Sequence, residues 1–375
     1  MPPVMSIPGF GKTDFLFRVC GHRILPMPLT LMSRVTRGLL LSLLFARLLS
    51  IAVLDGIRIR VEGFTLFHAS DMSIHAFNFT FHILMLFWGR RVWRFLETSA
   101  RLASGFRESS RRLQRVARRN VRLFWCYLGL QVLAQTCPRN RYWHCAWKGE
   151  HLLFFHVPAS LTEALLSHVA FVYEAFVSGC WPALALCLYD YARTIKRTVV
   201  GHKLRKLASL LLSCRDDLSQ QLELELLQTI KDTQDAFDET FGPLAFLILA
   251  FNFCQTFGYL VFILVQEISL AAKVEPIGLS LTYLIIPGLL LASICRQRDL
   301  PRLWDQATRL LERSNLSLHD YRLLQLLERE ESRCESCFLF EMRSSSLLSY
   351  SGCITTFAAV FIQLIPAKLA SHVVE

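Results

Sequence analysis

The sequence lacks any converging set of acids, bases, nucleophiles or metal ligands of the kind that catalysis requires, so an enzyme is not expected. Cys334-x-x-Cys337 has the spacing of half a zinc site, but no second CxxC or close pair of histidines completes four ligands. Neither a metal nor a cofactor is therefore anticipated. Charge is also sparse: Asp, Glu, Lys and Arg make up 19% of 375 residues. A chain this poor in charge cannot clothe an ordinary soluble domain in polar surface. Internal repeats, low-complexity tracts and linkers to a separate soluble domain are missing too, so residues 1–375 are expected to form a single unit. At the amino end no compact apolar block with a small-residue cleavage site precedes Lys12, Arg18 and Arg23. That end is expected to be retained and cytosolic.

What the chain has in abundance is apolar residues: 53% are hydrophobic, 28 are Phe, and mean hydropathy is +0.36. Crossing about 30 Å of hydrocarbon at 1.5 Å per residue takes about 20 residues, and windows approaching that length recur seven times. They run at about 38–54, 73–89, 121–137, 165–189, 243–266, 277–295 and 347–364, which predicts an all-α membrane protein of seven transmembrane helices. The twelve cysteines fall mostly inside these windows, where a thiol acts as a small buried hydrophobe. Only Cys137 and Cys145 sit where an outer loop would let them oxidise, and whether they pair is left open by the sequence.

Charge gives the orientation. Four alternate segments, the tail to Arg37 and the stretches 90–119, 191–240 and 296–345, hold 32 of the 41 Lys and Arg, against 7 on the opposite side. The positive-inside rule then predicts a cytosolic amino terminus and, after seven crossings, an extracellular carboxyl terminus. Because the basic residues abut spans rather than forming one aromatic-studded patch, the net charge of +11 does not predict a nucleic-acid partner. Arg111, Arg112, Arg115, Arg118 and Arg119 are either ordinary topology charges or contacts to anionic membrane lipid, worth about 1 kcal/mol each near the surface.

The cytosolic segments are periodic. Leu204, Leu207, Leu211, Cys214, Leu218, Leu222, Leu226 and Ile230 recur at spacings of three and four, which predicts one long helix running toward span five. Leu300, Leu303, Ala307 and Leu310 mark a helix leaving span six. Ser314-Asn315 breaks it, and Tyr321, Leu324 and Leu327 begin another that leads into the last span. The membrane helices are thus expected to extend inward and pack as a cytosolic bundle. Pro243 suits the first turn of span five, and Pro287 is expected to bend span six. The sequons at Asn78 and Asn315 fall within span two and on the cytosolic side, so neither is expected to carry glycan.

Polar residues inside spans each raise a functional question. Arg47 lies in span one and Glu174 in span four, while His75, Gln131, Gln135, Tyr173, Tyr259, Thr282 and Tyr283 fall toward the outer halves of theirs. Together they suit an aromatic-lined cavity among spans two to six for a small amphiphilic ligand. Ordinary interhelical hydrogen bonding is the competing explanation, and for any single one of them the stronger.

In the last span Thr356-Phe357 is followed by five apolar residues and then Gln363-Leu364. This resembles the T-Y-(five apolar)-Q-F signature of insect gustatory receptors, with Phe357 in place of Tyr and Leu364 in place of Phe. The resemblance implies a tetrameric, ligand-gated, non-selective cation channel in the plasma membrane of sensory neurons, dendrite and soma. Span seven of each subunit would line a central pore with Gln363 and Leu364 at its gate and Val360 about one turn deeper. It further implies a small tastant as ligand, with the family leaning toward bitter, aversive compounds, and partner gustatory subunits in a homo- or hetero-tetramer. Four Gln amides around a wet pore are solvated when it is open, and an apolar ring shuts it by dewetting.

A G-protein-coupled receptor is the main alternative. It requires an external amino terminus, and the sequence shows neither D-R-Y at the inner end of span three nor N-P-x-x-Y in span seven. A secondary transporter would bring inverted repeats of broken helices, which are also missing. Epitope tags separate these readings: on intact cells the carboxyl-terminal tag is expected to stain and the amino-terminal tag only after permeabilisation. The reverse pattern would remove the gustatory-channel reading.

Overall fold

The computed structural model describes residues 10–19, 66–103, 107–148, 181–212, 217–265, 299–312, 318–334, 336–337 and 340–341, with single helical positions scattered between 35 and 60 and at 352, 353 and 356. Seven helices are described continuously. They are α1 (Phe10–Val19), α2 (Leu66–Ala103), α3 (Arg107–Lys148), α4 (Trp181–Leu211), α5 (Asp217–Val265), α6 (Asp299–Glu312) and α7 (Leu318–Cys334). After α7 a short antiparallel pair, β1 (Ser336–Cys337) and β2 (Phe340–Glu341), joins Ser336 to Glu341 and Cys337 to Phe340.

The long helices each join an apolar stretch to a charged one without a break. In α2 the run 73–89 passes directly into Arg90, Arg91 and Arg94, and in α5 the charged half precedes the apolar one. Among the described residues one helical stretch, Gln220–Gly258, is long and apolar enough to cross a membrane. The corresponding stretch of α2 carries Ser73, Asn78, Thr80 and His82, which lower its hydropathy. Spans one, four, six and seven lie wholly or mostly outside the described residues.

Three expectations are corrected. The stripe from Leu204 to Ile230 is not one helix: α4 ends at Leu211, Leu212 is a turn, and α5 starts at Asp217, so the stripe folds back on itself and each half covers the other. Pro243 does not open a helix but lies deep inside α5, where it has no N–H to give the carbonyl of Glu239. Third, α3 runs through 138–148 as helix where a loop was expected. Cys137 and Cys145, eight residues apart on one helix, are separated by about 12 Å at 1.5 Å per residue, beyond disulfide reach. A smaller shift concerns α7, where Tyr321 is exposed and Leu323 with Leu327 forms the buried face.

Two cores result. One is formed by α2, α3, α4 and α5, with Leu16 and Phe17 of α1 packed in, and its largest buried side chains include Trp181, Phe81, Phe124 and Phe251. The other gathers Leu204 and Leu207 of α4, Leu226 and Ile230 of α5, Trp304 and Leu311 of α6, and Leu323 and Leu327 of α7. Burying each such side chain contributes roughly 1.5–3 kcal/mol. Helix α4 belongs to both cores, and 22 of its 31 residues are buried, so it is the axis that joins them.

Where α6 crosses α4, Gly201 lets the backbones approach. A Cβ there would lie 3.3 Å from Leu300 Cδ1 and 3.7 Å from Leu303 Cδ1. Gly201→Ala is expected to be tolerated by a small movement of Leu300. Gly201→Leu overfills the crossing and is expected to cost about 1–3 kcal/mol. Thermal unfolding of the purified protein measures both, and equal midpoints for the two variants would show that the crossing is loose.

Candidate functional site

Helical spacing on α2 sets Ser73, Phe77, Phe81 and Met85 at i, i+4 intervals, with Asn78 and His82 one residue round the same helix. Opposite them α5 offers Phe251, Asn252, Gln255 and Thr256, and α4 inserts Trp181 between the two. The Trp181 indole stacks on Phe81 with centroids 5.1 Å apart and meets Phe251 edge to face at 4.7 Å; Phe77 packs against Phe251 at 5.8 Å. Offset and edge-to-face contacts of this kind add about 0.5–1.5 kcal/mol per pair beyond area burial.

This aromatic wall carries several buried polar side chains. Asn78, His82, Asn252 and Gln255 are each fully buried. Gln255 Nε2 donates to Ser73 Oγ at 2.8 Å, which ties α5 to α2, and Asn252 Nδ2 donates to its own helix at Ile248 O, 2.7 Å away. Among the described residues both amide atoms of Asn78, the indole N–H of Trp181, Asn252 Oδ1 and Thr256 Oγ1 have no hydrogen-bond partner. Leaving such groups buried and unsatisfied costs on the order of 1–3 kcal/mol each, so a guest with a ring and a hydroxyl would find both a wall and partners. Asn78 is sealed inside the fold, in keeping with the expectation that its sequon stays unmodified.

Along α4 the next feature is ionic. Asp190 Oδ2 accepts from Arg119 Nη2 at 2.5 Å and from Asn120 Nδ2 at 3.0 Å, and Asn120 Nδ2 also reaches Cys187 O at 3.1 Å. The Cys187 thiol donates back to Asn120 O at 3.3 Å, so α3 and α4 are pinned reciprocally. Further along, the buried Lys196 ammonium lies 3.9 Å from Asp238 Oδ1 and 4.5 Å from the Phe237 ring centre, pinning α4 to α5. Burial raises the Tyr191 phenol above its ordinary value and keeps it neutral. His202 is lowered, first by desolvation and then by Lys203, Arg205 and Lys206.

Of the residues proposed from sequence, Thr356 is helical and exposed. Phe357, Val360, Gln363 and Leu364 lie outside the described residues, as do Tyr173, Glu174 and Tyr283. His75, Gln131 and Tyr259 sit on α2, α3 and α5 respectively. Sequence reasoning passed over Asn78 as a site residue, along with His82, Trp181, Asn252 and Gln255. The available signal was the pair of amides Asn252 and Gln255 in an otherwise apolar run. Among the described residues no group of three or more His, Cys, Asp or Glu is placed to hold a metal.

The path of the chain matches solved structures. It aligns with the insect olfactory receptor OR5 from Machilis hrabei at a TM-score of 0.65 and 12% identity, covering 95% of this chain and 97% of that one. The structure of the same receptor in complex with eugenol aligns at 0.63 with the same identity and coverage. The fold is that of an insect olfactory receptor. No protein-family model matches the sequence, and neither does any curated protein. At this identity the likeness is one of architecture, carried by helix lengths and packing rather than by shared residues.

Two substitutions separate packing from hydrogen bonding in the aromatic wall. Trp181→Ala is expected to destabilise by about 3–5 kcal/mol. Asn78→Leu, which removes a buried amide without partners among the described residues, is expected to be neutral or stabilising. Thermal unfolding reads both, and a penalty for Asn78→Leu as large as that for Trp181→Ala would mean that the amide is satisfied in the folded protein.

Proposed function

We propose that this chain is a subunit of a ligand-gated chemosensory cation channel of the gustatory receptor kind, multi-pass in the plasma membrane, opened by a small, bitter amphiphile. The observation that carries the reading is the alignment over 95% of the chain with an insect olfactory receptor whose structure has been solved with eugenol. The Thr356, Phe357, Gln363, Leu364 pattern supports gustatory over olfactory identity, since it resembles the gustatory signature.

In this reading the ligand enters among spans two to six and meets the aromatic and amide surface of α2, α4 and α5, with His75, Gln131, Tyr173, Glu174, Tyr259 and Tyr283 as further lining. A compound that prefers one arrangement of these helices shifts the population toward it in proportion to its differential affinity. Helix α4, pinned at Asp190 and Lys196 and embedded in both cores, carries that shift to the α6 and α7 bundle. Span seven follows, and Gln363 with Leu364 and Val360 forms the gate of a homo- or hetero-tetramer.

Expression in a cell without other chemoreceptors, with a panel of bitter compounds, tests the reading. Ligand-dependent cation current is expected to persist when G-protein signalling is blocked, and Gln363→Ala is expected to change conductance or ion selectivity. Current that vanishes with the G-protein block would favour a coupled receptor, and unchanged permeation in Gln363→Ala would remove that residue from the pore.

A further inference from the structure

Between α2 and α5 lies a cleft of about 540 Å3, at the level where both helices pass from apolar to charged sequence. Its membrane-side rim is fixed. The half-buried Trp88 donates from Nε1 to Thr240 O at 3.0 Å, and the Arg91 guanidinium lies 4.3 Å over the indole centre. Tryptophan with arginine in this arrangement is characteristic of the membrane–water interface.

The walls of the cleft carry opposite charges. Arg91 and Arg94 line it from α2, and Asp232 and Glu239 from α5, so the four cancel. All four are exposed. Asp232 accepts from Gln228 Nε2 at 2.7 Å. Among the described residues Arg94 and Glu239 make no ion pair or hydrogen bond, although they face the same space. An N–H acceptor lies beside them: the Glu239 carbonyl lacks its helical donor because residue 243 is Pro. Beyond the rim, Phe87 lies one helical turn before Arg91 and Phe246 two turns after Glu239, on the same helix faces. They are 79% and 47% exposed, a paired apolar track leading away from the charges.

We propose that this cleft holds the headgroup of a phosphatidylethanolamine, its phosphate on Arg91 and Arg94, its ammonium toward Glu239 and Asp232, and its acyl chains along Phe87 and Phe246. A lipid bearing phosphate alone would set its charge against two carboxylates. A choline headgroup carries no N–H for the carboxylates or the free carbonyl. Ethanolamine supplies both a charge-assisted acceptor for the arginines and three donors for the opposite wall.

The site rests on the membrane reading of the chain but is tested without current. The full-length protein, purified in detergent, is incubated with phosphatidylethanolamine, phosphatidylcholine or phosphatidylglycerol of matched acyl chains. Retained lipid is counted by native mass spectrometry, and stabilisation is followed by thermal unfolding. Phosphatidylethanolamine is expected to be retained preferentially and to raise the unfolding midpoint. Arg94→Gln and Glu239→Gln are each expected to weaken retention about tenfold. Arg322→Gln, an exposed charge on α7 outside the cleft, is expected to leave it unchanged, with circular dichroism confirming that every variant is folded. Equal retention of the three lipids, or undiminished retention in Arg94→Gln and Glu239→Gln, would overturn the proposal. Soluble glycerophosphoethanolamine giving the full thermal shift alone would overturn the assignment to lipid. A chain that retains the lipid selectively yet passes no current would leave the headgroup site standing and remove only the channel reading.

Discussion

Helix α4 is buried over most of its length, and two of the charged groups buried on it are answered from neighbouring helices. Asp190 is answered by Arg119 and Asn120 of α3, and Lys196 by Asp238 and Phe237 of α5. These contacts cannot be exchanged for water without opening the core, and removing one partner of a buried charge is far more costly than the pair is stabilising. They therefore set the rotation and height of α4 relative to its neighbours. The aromatic wall at one end and the Leu204 to Leu207 face at the other take their positions from that setting.

The core of α2 to α5 places hydrogen-bonding groups without partners among the described residues beside aromatic rings, a local cost that a guest would offset. The core shared with α6 and α7 also encloses polar side chains, among them Glu223, Gln234, Asp320 and Glu330, and Gln234 Nε2 donates to Glu330 O at 3.2 Å. A helix shared by two cores is a physical route by which a rearrangement in one biases the other. The cleft beside Arg94 and Glu239 lies outside this axis, between α2 and α5, where the two helices meet at the apolar-to-charged border.

Much of the architecture was legible from periodicity. The leucines of 204–230 and the amphipathic stretch of 300–310 correspond to packed helices, because an apolar stripe at helical spacing has to be covered by something. The stripe did not reveal that 204–211 and 217–230 are separate helices. A fold-back at Leu212 preserves the same spacing pattern as a continuous helix, and only contact between the two halves distinguishes them. Pro243 misled for a similar reason. A proline reads as a helix start, yet a long helix packed on both sides tolerates the loss of one backbone bond.

The candidate site was less legible. His75 and Tyr259 were selected as polar or aromatic residues in outer halves of spans, whereas the described cluster is made of Asn78, His82, Trp181, Phe251 and Gln255 from three different helices. The sequence by itself determined that the chain is helical and apolar, where charged stretches follow apolar ones, and that a Thr-Phe and Gln-Leu pattern lies in its last apolar window. These are properties of composition and of spacing along one chain. The tertiary structure alone decided which amides face one another and that α4 is the shared axis. It also decided that Arg94 and Glu239 look across the same cleft. Side-chain meetings between helices far apart in sequence depend on crossing angles and axial register, which no one-dimensional period encodes.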